Sequence, residues 1–243
     1  MILRNSKIRN IFKKLKTTPL HPQWFAFLHS TQNFKEIATD LNGVVLDIGA
    51  GRQEISKFLR KDVRYVPLDY YDTSQNWYQY SPKIYGDASA LPIKSESINS
   101  VLLLDVLEHL PYPEKCLEEI IRVLKPEGTA IIQVPFLYPL HDEPLDFSRW
   151  TQYGLRNLCS RYGFEMRLMK IMGQPVETAA MLFNIAIAKL ILQWIKKKSI
   201  LLILSPFLLL LIFFVNIFGY IGGKYSAVDN FMPHSYRMVL KKK

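Results

Sequence analysis

The sequence predicts an α/β fold: a parallel sheet with helices on both faces, interrupted near its end by an apolar helical insertion. Three observations predict it. Short apolar runs at 44–48, 64–68, 101–104 and 129–135 alternate with helical patterns, as strand–helix–strand crossovers require. The runs are apolar throughout rather than alternating, which suits strands covered on both faces. An uncharged stretch, Ile200 to Phe218, stands just before the last strand-like run, 236–240.

The first strand, Val44 to Ile48, runs into Gly49 and Gly51, with Asp47 just ahead of them. Glycines there let the backbone turn tightly against a ligand. A dinucleotide fingerprint needs a third glycine where Glu54 stands, so a pyrophosphate is not expected. The second strand, Arg64 to Leu68, ends in Asp69, whose carboxylate can accept both hydroxyls of a ribose. Asp87 follows a third strand, and a fourth, Val101 to Leu104, ends in Asp105 and Val106. Helices are marked by 113–124, where Leu117, Ile120, Ile121 and Leu124 share a face, and by 151–162, with Thr151 as its N-cap. Strands at 164–171 and 236–240 bring the total to seven.

These residues together resemble the class I S-adenosylmethionine-dependent methyltransferases, and within them the small-molecule and lipid-modifying group. The resemblance covers roughly Asn42 to Phe164. It rests on Asp47-Ile48-Gly49-Ala50-Gly51, on Asp69, on Gly86-Asp87-Ala88 with Leu91-Pro92, on Asp105-Val106-Leu107-Glu108-His109, and on Glu118 to Gly128. It implies a Rossmann-like, mostly parallel seven-stranded sheet whose last strand is antiparallel, with S-adenosyl-L-methionine as cofactor at the carboxyl edge. It also implies roles. Asp47, Gly49, Ala50 and Gly51 line the methionine end, Asp69 and Tyr70 the ribose, Asp87 and Ala88 the adenine, and Asp105 and Val106 the methionine again. Gln53 departs from the pattern, standing where the family often carries a third glycine. His109 has a simpler reading, a structural histidine bonded to a backbone carbonyl.

A chain of 243 residues, 49% hydrophobic and 21% charged, can bury a sizeable core. Cys116 and Cys159 lie on apparent core faces without metal-ligand spacing, which reads as reduced structural thiols. The net charge of +10 invites a nucleic-acid reading, but its distribution opposes one: residues 40–170 hold 15 basic against 18 acidic side chains, so the excess lies in the flanks. A nucleic-acid enzyme needs positive charge around its mouth.

Both basic flanks are also apolar. Ile8, Ile11, Phe12 and Leu15 fall on one helical face amid Lys7, Arg9, Lys13, Lys14 and Lys16, a pattern that suits either a helix in the headgroup layer or one packed on the domain. No secretory signal is expected. The stretch 200–218 is just long enough to cross a bilayer. Before it, Ala179 to Ile195 forms a less apolar helix, and Lys196 to Lys198 joins the two; Pro206 breaks the longer segment. The strands on either side belong to one sheet, so the insertion crosses a membrane an even number of times or not at all. A double span would put the lysine turn outside, against the positive-inside tendency. A partly inserted helical hairpin is the favoured reading; a double span and a homodimer interface are the others.

The acceptor end is expected in His141 to Thr151, which follows the fifth strand. His141 or Asp142 is the candidate general base, and Arg149 pairs either with an acidic group of the substrate or internally with Asp146. No metal is expected, since adjacent residues on one loop seldom converge on one ion.

The expected organisation is a basic amphipathic helix at 1–18, a catalytic core with an N-terminal cap at 19–173, a membrane-associated helical hairpin at 174–230, and the last strand with a basic tail at 231–243. The expected activity is methyl transfer to an amphipathic or lipid-linked acceptor at the cytoplasmic face of a membrane. A non-catalytic cofactor-binding partner and a soluble small-metabolite or sugar methyltransferase are the alternatives.

Overall fold

The computed structural model describes residues 15–227 and 229–243, so most of the expected basic helix lies outside the described residues. The chain divides into two compact units. One comprises residues 31–136, 140–171 and 235–243; the other comprises the described residues up to Ser30 with 137–139 and those of 172–234.

The larger unit is built on a seven-stranded sheet: β1 (Val44–Ile48), β2 (Arg64–Asp69), β3 (Ile84–Tyr85), β4 (Ile98–Leu104), β5 (Leu124–Pro135), β6 (Phe164–Met172) and β7 (Ser235–Lys242), in the order β3-β2-β1-β4-β5-β7-β6. β1 pairs in parallel with β2 and β4, β2 with β3, and β4 with β5; β7 is antiparallel to β5. The order reverses direction between β1 and β4, which places a ligand crevice outside their carboxyl ends.

Helices cover both faces, which explains the uninterrupted apolar runs. Val45, Leu102 and Ile131 point to one face, where they meet Ile37 of the helix Ser30–Thr39 and Leu41. Leu46, Val101, Leu103 and Ile132 point to the other, with Leu117 and Ile120 of the helix Pro113–Val123 and Leu155 and Cys159 of the helix Gln152–Arg161. Both cysteines are buried, and burial pushes the Cys159 thiol up to about 12, so neither is a nucleophile. Thr151 caps its helix by accepting from the Gly154 N–H at 3.2 Å. β5 begins five residues before the expected 129, because Pro126 disfavours helix at the residue ahead of it and the chain passes straight from helix into strand.

The second unit contains a short helix, Trp24–Leu28, and two long ones, Pro175–Lys197 and Ser205–Tyr225, the last preceded by a 3-10 turn at Ile200–Leu204. Pro175 opens the first long helix together with a capping box between Gln174 and Glu177. Pro206 lies in the first turn of the second, where its missing N–H costs nothing, and so it ends the apolar stretch's single-helix reading as expected. Trp24 and Phe25, expected in a cap over the cofactor, are buried against Ala180 and Met181 within this unit. The compact units part at Ser30.

Candidate active site

The carboxyl edge of the sheet is shaped by backbone that only certain residues adopt readily. Gly49 and Gly51 have φ of 71° and 50°, the left-handed region that favours glycine. A Cβ on Gly49 would stand 2.4 Å from Val106 Cγ2, so the loop after β1 sits directly against the residue after β4. The Gly49 and Ala50 N–H groups donate to the Leu68 carbonyl at 2.9 and 3.1 Å, which holds the loop over the end of β2. Gln53 also has a left-handed φ of 55°, a conformation glycine would take without strain. The residue type thus departs from the resembled pattern at a position whose backbone glycine would accept.

Four carboxylates stand around this loop in different environments. Asp47 is buried and accepts a hydrogen bond from the Tyr65 hydroxyl; desolvation pushes its carboxyl up to about 7, against the pull of that bond. A cation brought beside it would favour its ionised form. Asp69 accepts the Gly51 N–H at 2.9 Å on one oxygen and the Tyr70 N–H at 2.8 Å on the other. Burial raises its carboxyl above the usual range and the two amides oppose that. Each oxygen keeps a further lone pair, enough for two ribose hydroxyls. Tyr70 is exposed beside it. Asp87 is exposed and accepts the Ser89 N–H at 2.7 Å, next to the buried Ala88. Asp105, at φ 55°, accepts from the Gln133 amide at 2.9 Å.

These residues fit S-adenosylmethionine. The glycine loop brings backbone to the crevice floor, Asp69 offers paired acceptors, and Asp47 awaits a positive group. When bound, the cofactor supplies an electrophilic methyl on a sulfonium.

The loop after β5 folds back onto the short 3-10 turn Leu107–His109 that follows β4. The Phe147 and Ser148 N–H groups donate to the Glu108 carbonyl at 2.9 and 3.3 Å. His109 Nδ1 lies 2.7 Å from the Leu145 carbonyl, the backbone contact expected of a structural histidine. Its ring meets the His141 ring edge to face, with centroids 4.8 Å apart. Arg149 grips Asp146 with two bonds of 2.5 and 2.8 Å, so of its two expected roles it takes the internal pair. That guanidinium holds the Asp146 carboxyl down at about 2, and Asp146 also takes the His141 N–H at 3.0 Å. Asp142, the other candidate base, is exposed at φ 52°, and its carbonyl accepts the Leu145 N–H at 3.0 Å.

Glu108 is the residue that sequence reasoning passed over. It is fully buried, neither carboxylate oxygen has a hydrogen-bond partner, and burial pushes its carboxyl up to about 9. Its place beside His109 was legible; its burial under a loop some forty residues away was not.

Residues 46–132 match the family model described as "Methyltransferase domain". No curated protein sequence matches. Among solved structures, the chain is similar to a SAM-dependent methyltransferase from Archaeoglobus fulgidus (12% identity, 95% of this chain and 99% of that one, TM-score 0.56). It is also similar to a SAM-dependent methyltransferase from Thermotoga maritima (18%, 69% and 83%, TM-score 0.52) and to the [4+2]-cyclase SpnF (14%, 88% and 80%, TM-score 0.53). At these identities the structures establish a shared fold, and residues 46–132 are the part that is similar to the methyltransferase family model.

Proposed function

We propose that this class I S-adenosylmethionine-dependent methyltransferase transfers its methyl group to an amphipathic or lipid-linked acceptor at the cytoplasmic face of a membrane. Asp47, Gly49, Ala50, Gly51, Asp69, Tyr70, Asp87, Ala88, Asp105 and Val106 hold the cofactor in this reading, and the loop carrying His141, Asp146 and Arg149 faces the acceptor.

The observation that carries the membrane half of the proposal is the partly inverted polarity of the helical unit. Pro175–Lys197 and Ile200–Tyr225 are long and apolar enough to cross a bilayer, yet only 28% and 11% of their most apolar windows are buried. Ile200, Ile203 and Phe207 are 88%, 74% and 71% exposed. Polar residues are inside as well, beside Met181 and Ile212. Asn184 donates to Asn216 at 2.9 Å, and Asn216 donates to the Pro19 and His21 carbonyls at 2.7 and 3.0 Å. Gly219 packs so closely that a Cβ there would stand 2.8 Å from Ala180 Cβ. Small residues at the contact and polar groups bonded between helices are how helices pair where the surroundings are lipid. Lys189 is exposed midway along the first helix, which favours a hairpin lying partly in the interface over a full span.

Two measurements test the two halves. Calorimetry on detergent-solubilised protein is expected to find S-adenosylmethionine binding that is lost in Asp69→Ala and in Gly49→Val; a well-folded wild type that binds none sinks the enzymatic reading. Flotation with anionic vesicles is expected to carry the wild type upward and to leave the double variant Ile203→Glu, Phe207→Glu below. Wild-type protein that stays in the supernatant without detergent and methylates only water-soluble acceptors would replace the membrane reading with that of a soluble enzyme.

A further inference from the structure

Glu108, His109 and His141 form a cluster with the form of a metal site. One oxygen or nitrogen from each comes within 4.8 Å of the others. The Nε2 atoms of both histidines face the same carboxylate oxygen, Glu108 Oε1, at 3.7 Å from His109 and 3.9 Å from His141. Those separations exceed a hydrogen bond. They are near the span across one ion, since two ligands each about 2.1 Å from zinc at the tetrahedral angle stand about 3.4 Å apart.

The other ring nitrogens support the same reading. His109 Nδ1 is held by the Leu145 carbonyl at 2.7 Å, an acceptor that requires the proton on that nitrogen. His141 Nδ1 stands 3.2 Å from Asp146 Oδ2. Arg149 Nη2, which gives one N–H to Asp146 Oδ2, is 3.3 Å from the same nitrogen. With Nδ1 of His109 protonated, its Nε2 lone pair faces Glu108, and the His141 Nε2 faces the same oxygen. A histidine whose far nitrogen donates to a carbonyl or carboxylate is the usual support of a metal ligand. The independent observation is Glu108 itself, a fully buried carboxylate with neither oxygen hydrogen-bonded, turned toward these two nitrogens.

We propose that Glu108, His109 and His141 bind one divalent transition-metal ion, whose open positions take oxygen atoms of the methyl acceptor. Two imidazoles and a carboxylate suit zinc, manganese or iron(II) better than magnesium or calcium. All three residues follow the carboxyl ends of β4 and β5, the edge that carries the cofactor loop, so the ion would orient an oxygen-bearing acceptor there. His141 is then a ligand rather than the general base. This acceptor role rests on the methyl-transfer reading, whereas the ion's binding does not.

The test uses the full chain in detergent, stripped with chelator and titrated with MnCl2 and with ZnCl2 by calorimetry, with S-adenosylmethionine binding measured on the same samples. One ion per chain is expected, with affinity reduced at least tenfold in each of Glu108→Gln, His109→Gln and His141→Gln and cofactor binding retained. Wild type that binds cofactor but neither ion overturns the proposal, as does binding that survives all three substitutions. Ion uptake at these ligands without cofactor binding would keep the site and remove its role in methyl transfer. Three separate variants guard against one that fails to fold.

Discussion

The sheet unit and the helical unit bury different mixtures of residue. Leu102, Leu103, Ile131 and Ile132 are closed off between helices in the first, while its buried carboxylates, Asp47, Asp69 and Glu108, stand at or after the carboxyl ends of strands. In the second, Thr178, Asn184 and Asn216 are fully buried and Phe207, Phe214 and Phe218 are exposed. In the membrane reading proposed above, each follows the same physics in a different solvent: water rewards burying carbon, and lipid rewards pairing polar groups.

The comparison can be broken by substitution. Leu102→Ala removes a fully buried side chain between two covered faces and is expected to cost about 3–5 kcal/mol of sheet-unit stability, read by denaturant titration. A loss under about 1 kcal/mol would mean that this core is not the fold's main support. Asn216→Ala deletes the bonds to Asn184, Pro19 and His21 and is expected to cost about 2–3 kcal/mol in the helical unit. Phe207→Ala, by contrast, should change stability in detergent hardly at all while weakening vesicle binding; if it destabilises as Leu102→Ala does, the inverted reading of the helical unit fails.

Acidity should separate the two units by sign. His21 and His234, both in the helical unit, are held down at about 4 by burial, with Lys16 adding to the effect on His21. Unfolded histidines take up protons below about 6.5, so their contribution is present above that value and is lost as pH falls toward 4. Asp47 works the other way: raised to about 7 by burial, it contributes most below its unfolded value and loses that as pH rises through 7. Hydrogen exchange at pH 5 and 7.5 is expected to find the helical unit loosened at the lower pH and β1 not. Equal loosening of both would contradict this assignment.

The smallest effect is expected at Gln53. Its left-handed backbone is strained for glutamine, so Gln53→Gly should relieve about 1 kcal/mol, partly offset by glycine's greater freedom when unfolded and by the lost contact with the Tyr80 hydroxyl. Weaker cofactor binding in Gln53→Gly with no gain in stability would make the side chain, and not the turn, the important feature.

Much of the backbone at the candidate cofactor end was legible, because it is local: Asp47 to Gly51 form the end of one strand and its turn, and Asp69 sits where a strand ends. The acceptor end was less so. His141 and Arg149 could be named from their place after the fifth strand, yet a second histidine beside His141 was not foreseen. His109 lies 32 positions earlier and reaches it only because the loop after β5 folds back onto the turn after β4.

By itself, the sequence determined the strand order of appearance, the glycine turn, the acids at strand ends and the apolar insertion. All of these are written in periodicity, residue volume and backbone preference over a few neighbouring residues. Tertiary structure alone decided that Glu108 is buried without a hydrogen-bond partner, that two distant imidazoles face it, and that Asn184 and Asn216 meet inside the helical pair. Those facts depend on which segments approach across long loops, and solvation and pairing follow from that approach.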